Sequence, residues 1–91
     1  MKSTYIKITA PVLFLLMAIL LPIYSSAQFN LEKKADQYYE DLAYRKAAEI
    51  YEKLYQDDSK NTRYMQRLAY SYNKMLEFKK ASRYYSLLVQ S

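Results

Sequence analysis

Between Leu31 and the C-terminus, apolar and aromatic residues recur at steps of three and four, the spacing that gathers them on one face of an α-helix. A first run takes in Leu31, Ala35, Tyr38, Tyr39 and Leu42, with Asn30 placed to cap its start and Lys33 and Lys34 in a first turn that disfavours positive charge. An interruption at Asp41-Leu42-Ala43 precedes a second run of Tyr44, Ala47, Ala48, Ile50, Tyr51, Leu54 and Tyr55. The polar cluster from Asp57 to Thr62 ends that helix and reads as a loop. A third run follows with Tyr64 or Met65, Leu68, Ala69, Tyr72, Met75 and Leu76, and a fourth begins near Phe78 and continues through Ala81, Tyr84, Tyr85 and Leu88. Residues 28–91 contain no glycine, no proline and few β-branched residues, so nothing inside these runs breaks a helix. The pattern predicts an all-α chain.

The runs are related to one another. Shifting the chain by 34 residues brings Ala35 onto Ala69, Tyr38 onto Tyr72 and Leu42 onto Leu76. It also brings Tyr44 onto Phe78, Ala47 onto Ala81, Tyr51 onto Tyr85 and Leu54 onto Leu88, while Lys46 meets Lys80. Small residues meet small ones and rings meet rings without a gap, which marks an internal repeat of two helical hairpins. Alanines at these positions let helix axes approach closely, and large rings fill the space beside each contact. A hairpin of this kind has an apolar face that only a neighbouring hairpin can bury.

The offset and these residues resemble the tetratricopeptide repeat, a 34-residue pair of antiparallel helices. In the first unit Ala35, Tyr38, Tyr44, Ala47 and Tyr51 stand at that family's positions, with Leu54 at the final small one. In the second unit Leu68, Ala69, Tyr72, Phe78, Ala81, Tyr85 and Leu88 do so, and Met65 stands where tryptophan is frequent. Leu54 and Leu88 replace the usual last alanine, Lys34 replaces a leucine, and Ser59 stands where a closing proline is common. The resemblance implies a right-handed α-solenoid of two such hairpins, repeat 1 over about 28–61 and repeat 2 over about 62–91, the second incomplete at its C-terminal end. It makes the thirteen residues just named, Met65 apart, the structural repeat core.

The N-terminus has a different character. Met1-Lys2 and Lys7 give a positive start, an apolar stretch runs from about Val12 to Leu21 and breaks at Pro22, and Ser25-Ser26-Ala27 supplies small residues for cleavage before Gln28. Residues 1–27 therefore read as a signal peptide and 28–91 as the mature domain. The alternative is a retained anchor over residues 8–27, because no charge interrupts Ile8 to Leu31. Without the leader, 12 Lys+Arg and 9 Asp+Glu leave a net charge of +3 rather than the +5 of the whole chain. That modest excess, with no continuous basic stripe, argues against nucleic-acid binding.

Chemistry has little to work with. The chain has no histidine and no cysteine, which removes the usual nucleophilic triads and zinc ligand sets, and no glycine for a phosphate-cradling loop. Asp57-Asp58 is an adjacent carboxylate pair whose side chains point apart, and reads as solvated linker. The expectation is a non-enzymatic chain with no cofactor, no metal and no small-molecule substrate.

What the resemblance offers instead is a concave groove lined by the first helix of each hairpin. It implies partner contacts from Glu32, Asp36, Tyr39 and Glu40 in the first unit and from Arg63, Gln66, Tyr70, Asn73 and Lys74 in the second. Independently, Glu32, Asp36 and Glu40 share one helical face, and Arg63, Arg67, Tyr70 and Lys74 do much the same on the third helix. These strips pair with each other, orient a polar partner, or are ordinary solvated faces whose ion pairs contribute little. The leader and the segment that follows it are also similar to large exported proteins of Bacteroidetes-type bacteria. Those join such repeats to a β-propeller and an outer-membrane-protein-A-like peptidoglycan-binding domain and serve type 9 secretion or gliding. That likeness implies a scaffold in the periplasm or on the periplasmic face of the outer membrane, with a protein or peptide partner among envelope components. The apolar end at Leu87-Leu88-Val89 implies the front part of a longer protein or a docking module. A membrane-anchored adaptor is the alternative.

Overall fold

The computed structural model describes residues 26–91, together with Leu15 and Ala18. The expected leader over 1–27 and the alternative anchor over 8–27 lie outside the described residues apart from Leu15, Ala18, Ser26 and Ala27. Four helices follow one another: α1 over 26–40, α2 over Tyr44–Asp57, α3 over Thr62–Lys74 and α4 over Phe78–Gln90. Among the described residues there is no strand, and no helix is long and apolar enough to cross a membrane.

Local chemistry sets the helix ends. The Asn61 side chain accepts from the Tyr64 backbone N–H at 3.2 Å and so caps α3, satisfying one of the donors that a helix start leaves open. Asn30 has no such role. α1 already runs through residues 26–30, because Ser26-Ala27-Gln28-Phe29 contains no helix breaker. The turns α1–α2 and α3–α4 are copies of each other. In the first, Ala43 N–H donates to the Tyr38 carbonyl at 2.8 Å and Leu42 N–H to Tyr39 at 3.1 Å. In the second, Glu77 N–H donates to Tyr72 at 2.9 Å and Leu76 N–H to Asn73 at 3.0 Å. This paired closure requires a left-handed residue at its second-last place. Leucine fills it both times, Leu42 at φ 63° and Leu76 at φ 62°.

Each helix packs on the next around one core. Ala35, Ala47, Ala48, Tyr51, Leu54, Leu68, Ala69, Tyr72, Ala81 and Tyr84 are buried there, with Tyr38, Tyr39, Ile50, Tyr55, Met75 and Leu87 packed against it. The repeated alanines vanish completely from solvent at Ala35, Ala47 and Ala69. No larger side chain fits at such close helix contacts, so each is a point where added methylenes cost stability. Tyr64, Met65 and Ser71 are also buried.

Two core expectations meet a different outcome. Phe78 and Tyr85 are 59% and 43% exposed, whereas their partners by repeat, Tyr44 and Tyr51, are half-buried and buried. The difference is one of layers. The α1–α2 hairpin is covered by α3, and among the described residues nothing covers α3–α4 in the same way. Tyr38, Tyr44 and Leu88 are half-buried.

Candidate protein-interaction surface

Along the α1–α3 seam the acidic and basic strips meet. Arg63 on α3 reaches back to α1, with Nη1 2.8 Å from Glu32 Oε1 and Nη2 2.7 Å from Asp36 Oδ2. Arg67, one turn on, lies 3.8 Å from Asp36 Oδ1 and donates to the Tyr51 hydroxyl oxygen at 3.3 Å. Tyr51, buried on α2, donates its own proton to Asp36. Asp36 is thus the hub that ties α1, α2 and α3 together. Burial pushes its carboxyl up, but the hydrogen bonds from Tyr51 and Arg63 and the charges of Arg63 and Arg67 outweigh that and hold it below the usual carboxylate range. Burial first, then the bond to Asp36, pushes the Tyr51 hydroxyl well above the ordinary tyrosine range.

Tyr39 sits at the centre of a ring cluster rather than out in solvent. Its centroid is 5.8 Å from Tyr44, 6.2 Å from Tyr51 and 5.8 Å from Tyr70, and the Arg67 guanidinium carbon lies 4.2 Å from its ring centre. Tyr44 and Tyr70 are 5.8 Å apart and close the set. Tilted and edge-on geometries of this kind add to burial. Tyr70 remains 38% exposed, with Lys74 Nζ 5.4 Å from its ring centre. Glu40, Gln66, Asn73 and Lys74 are exposed. The nine groove positions therefore divide: Glu32, Asp36 and Arg63 are engaged with one another, Tyr39 and the part-exposed Tyr70 pack in one ring cluster, and Glu40, Gln66, Asn73 and Lys74 are exposed.

A second polar hub was not visible in the sequence. Oε1 of Glu52 accepts from the Tyr72 hydroxyl at 2.8 Å and from the Tyr84 hydroxyl at 2.6 Å. It joins α2, α3 and α4 as Asp36 joins α1, α2 and α3. Glu52 belongs to the outward polar half of the helical pattern, and only a contact 20 and 32 residues away along the chain gives it this part.

The most distinctive open surface lies on the far side of the second hairpin. A cleft of about 340 Å³ is lined by Asn73, Phe78, Ala81, Ser82, Tyr85, Ser86 and Val89. Moving each back by 34 residues gives Tyr39, Tyr44, Ala47, Ala48, Tyr51, Glu52 and Tyr55. Those are positions on the face where α3 lies: Tyr70 rests on Tyr39 and Tyr44, Tyr64 on Tyr51, and Tyr72 bonds to Glu52. A roomier cleft of about 470 Å³ near the α2–α3 loop is lined by Lys60, Met65 and Leu87 among others. Among the described residues, no group of three or more acidic residues could hold a metal ion.

No family model, no curated protein and no solved structure matches the chain. The assignment to the tetratricopeptide family is corrected on that ground, since a 34-residue helical recurrence alone does not carry family membership. So is the likeness to exported proteins with a β-propeller and an outer-membrane-protein-A-like domain, because the described residues form helices and no sheet. The links to type 9 secretion, the periplasm and the outer membrane rested on that likeness and are corrected with it. The fold is all-α, four consecutive helices each packed on the next, in the manner of a generic helical solenoid.

Proposed function

We propose that this chain is a non-enzymatic protein-interaction module, exported by its N-terminal leader, whose contact surface is the open α3–α4 face. The observation that carries the reading is the equivalence of that face to the one already occupied by α3. Phe78, Tyr85 and Val89 stand open at positions where Tyr44, Tyr51 and Tyr55 receive a helix. Val89 is 85% exposed and Phe78 59% exposed, and they adjoin Tyr85 in one cleft, an arrangement typical of contact sites rather than of scattered surface residues. The two hairpins are read as stacked units of a right-handed solenoid, supported by the recurrence of turn and core positions at 34 residues.

The test places a photo-crosslinking amino acid at Tyr85, and separately at Lys53 on the exposed side of α2, in cells that produce the protein. A discrete adduct from position 85 that is absent from position 53 supports the reading. Identical adduct patterns from both positions, or none, overturn it. Sequencing the N-terminus of the recovered protein tests export independently, with Gln28 as the expected first residue.

A further inference from the structure

The two hairpins carry opposite charge. From Gln28 to Asp58 there are five basic and eight acidic residues, a net of −3, and from Ser59 to Ser91 seven basic residues and one acidic, a net of +6. Neither α3 nor α4 contains a carboxylate. Where α3 docks on α1 and α2, the acceptor face supplies the carboxylates: Glu32 and Asp36 meet Arg63 of α3, and Glu52 accepts from the Tyr72 hydroxyl. At the open face the equivalent positions are Gln66, Tyr70 and Ser86, so no carboxylate waits there for an arginine. Lys74 stands at the position of Glu40, with its Nζ 5.4 Å from the Tyr70 ring centre, and Arg83 at that of Glu49, with its guanidinium carbon 5.7 Å from the Tyr84 ring centre.

Resting on the reading of this face as a docking surface, we propose that its occupant is an acidic amphipathic helix of a partner protein. The helix lies as α3 lies on the first hairpin, with rings over Phe78 and Tyr85 and carboxylates toward the basic residues of the second hairpin. The internal copy specifies the apolar half of this complementarity: α3 presents Tyr64, Leu68 and Tyr70 at steps of four and two. The charge of the second hairpin specifies the polar half.

A second copy of the chain is a poor occupant. Head-to-tail stacking would present α1, whose outward face carries Lys33, Lys34 and Gln37 where α3 has Arg67 and the buried Leu68 and Ser71. All three are exposed, and two lysines would enter a face that is already cationic. The first hairpin thus ends in polar residues on one side while the second ends in an apolar cleft on the other.

The experiment uses two peptides and the full chain in nonionic detergent. One peptide is Thr62–Lys74 as it stands, and the other carries Arg63→Glu, Arg67→Glu and Lys74→Glu on the same apolar stripe. Fluorescence anisotropy is expected to show the acidic peptide binding at least 10-fold more tightly than the cationic one. That preference should shrink as salt is raised from 50 to 500 mM. Binding should also fall at least 10-fold with Val89→Glu, a substitution at an exposed position that leaves the helical circular dichroism unchanged. Equal binding of the two peptides overturns the acidic assignment while leaving the face as a docking site. Binding of neither overturns both readings. Concentration-dependent dimerisation in sedimentation velocity, abolished by Val89→Glu, makes a second copy the occupant and overturns the partner assignment.

Discussion

Tyr72 and Tyr84 lie ring on ring, 6.0 Å between centroids and 10° from parallel, and both hydroxyls donate to the same oxygen of Glu52. Two rings from adjacent helices are thereby held by one carboxylate on a third. Replacing Glu52 by Ala removes the acceptor from two hydroxyls whose residues are 7% and 2% exposed. A buried hydroxyl left unpaired costs about 1–3 kcal/mol, and Glu52 itself is partly solvated, so a total loss of about 2–3 kcal/mol is expected. Glu52→Gln keeps an acceptor and should cost about half as much. Urea denaturation of both variants is the measurement, and equal stability of Glu52→Ala and the parent chain would show that the hub contributes nothing.

The same tyrosines make the fold sensitive to alkali. Burial, followed by the bond to Glu52, pushes the Tyr72 and Tyr84 hydroxyls well above the usual range, and Tyr51 is raised by burial and by Asp36. An acid whose folded pKa lies above its unfolded value contributes stability that is complete below the unfolded value, near pH 10, and is lost as pH rises toward the folded one. Each such group lowers stability by up to about 1.4 kcal/mol per pH unit, so three together approach about 4. Helical circular dichroism should collapse cooperatively above about pH 10.5, in step with tyrosinate absorbance at 295 nm. Smooth tyrosine titration with the helices intact would contradict the assignment.

These hubs bear on how much of the molecule can be seen before its structure. The alanines at 35, 47, 69 and 81 announce close helix contacts because smallness recurs where a ring or leucine would otherwise be expected, and all four are buried. The helix-breaking segments at 41–43 and 57–62 were legible for the same local reasons. Glu52 was not, since nothing nearby in sequence distinguishes it from Glu49. Tyr39 has no aromatic counterpart in the repeat, where Asn73 stands at the equivalent position. In three dimensions Tyr44 and Tyr51 of α2 and Tyr70 and Arg67 of α3 surround its ring. Phe78 and Tyr85 mislead in the opposite sense: periodicity marks a face as apolar but does not say that anything covers it.

Leu42 and Leu76 hold left-handed backbone on exposed turns, at 69% and 73% exposure. For a residue with a Cβ this conformation costs roughly 1–2 kcal/mol, and neither side chain recovers it by burial. Leu76→Gly relieves the strain and loses about 0.5–1 kcal/mol through the greater freedom of the unfolded chain. A net gain of about 0.5–1 kcal/mol, or a few degrees in Tm, is expected for each site, and the two should add because they lie in separate turns. The control is Leu76→Ala, which retains the Cβ and should gain nothing.

Ser71 is fully buried on α3, and its hydroxyl oxygen has no hydrogen-bond partner among the described residues. Its repeat equivalent, Gln37, is exposed, so among the described residues the position turns inward only where its helix packs on a preceding hairpin. Ser71→Ala removes an unpaired polar atom and improves helix propensity by a few tenths of a kcal/mol, predicting a gain of about 1 kcal/mol. A loss of stability in thermal melts would mean that the hydroxyl has a partner after all.

Asp36 supplies the acid counterpart. Its folded pKa is depressed, so the stability it contributes is present above the unfolded value of about 3.9 and is lost as pH falls through the folded one. Asp36→Asn should be less stable by about 1–2 kcal/mol at pH 6, a figure kept small because the carboxylate is partly solvated. The gap should close as pH falls through the folded value, where the parent's carboxyl takes up its proton and resembles the amide. Tyr51→Phe probes the same hub from its buried side. If Asp36 and Tyr51 act through their shared hydrogen bond, the double variant loses about 0.5–1.5 kcal/mol less than the two single losses combined. Strict additivity at pH 6, together with a stability gap that persists unchanged to pH 2, would assign the cost of Asp36→Asn to helix propensity and not to the link between α1, α2 and α3.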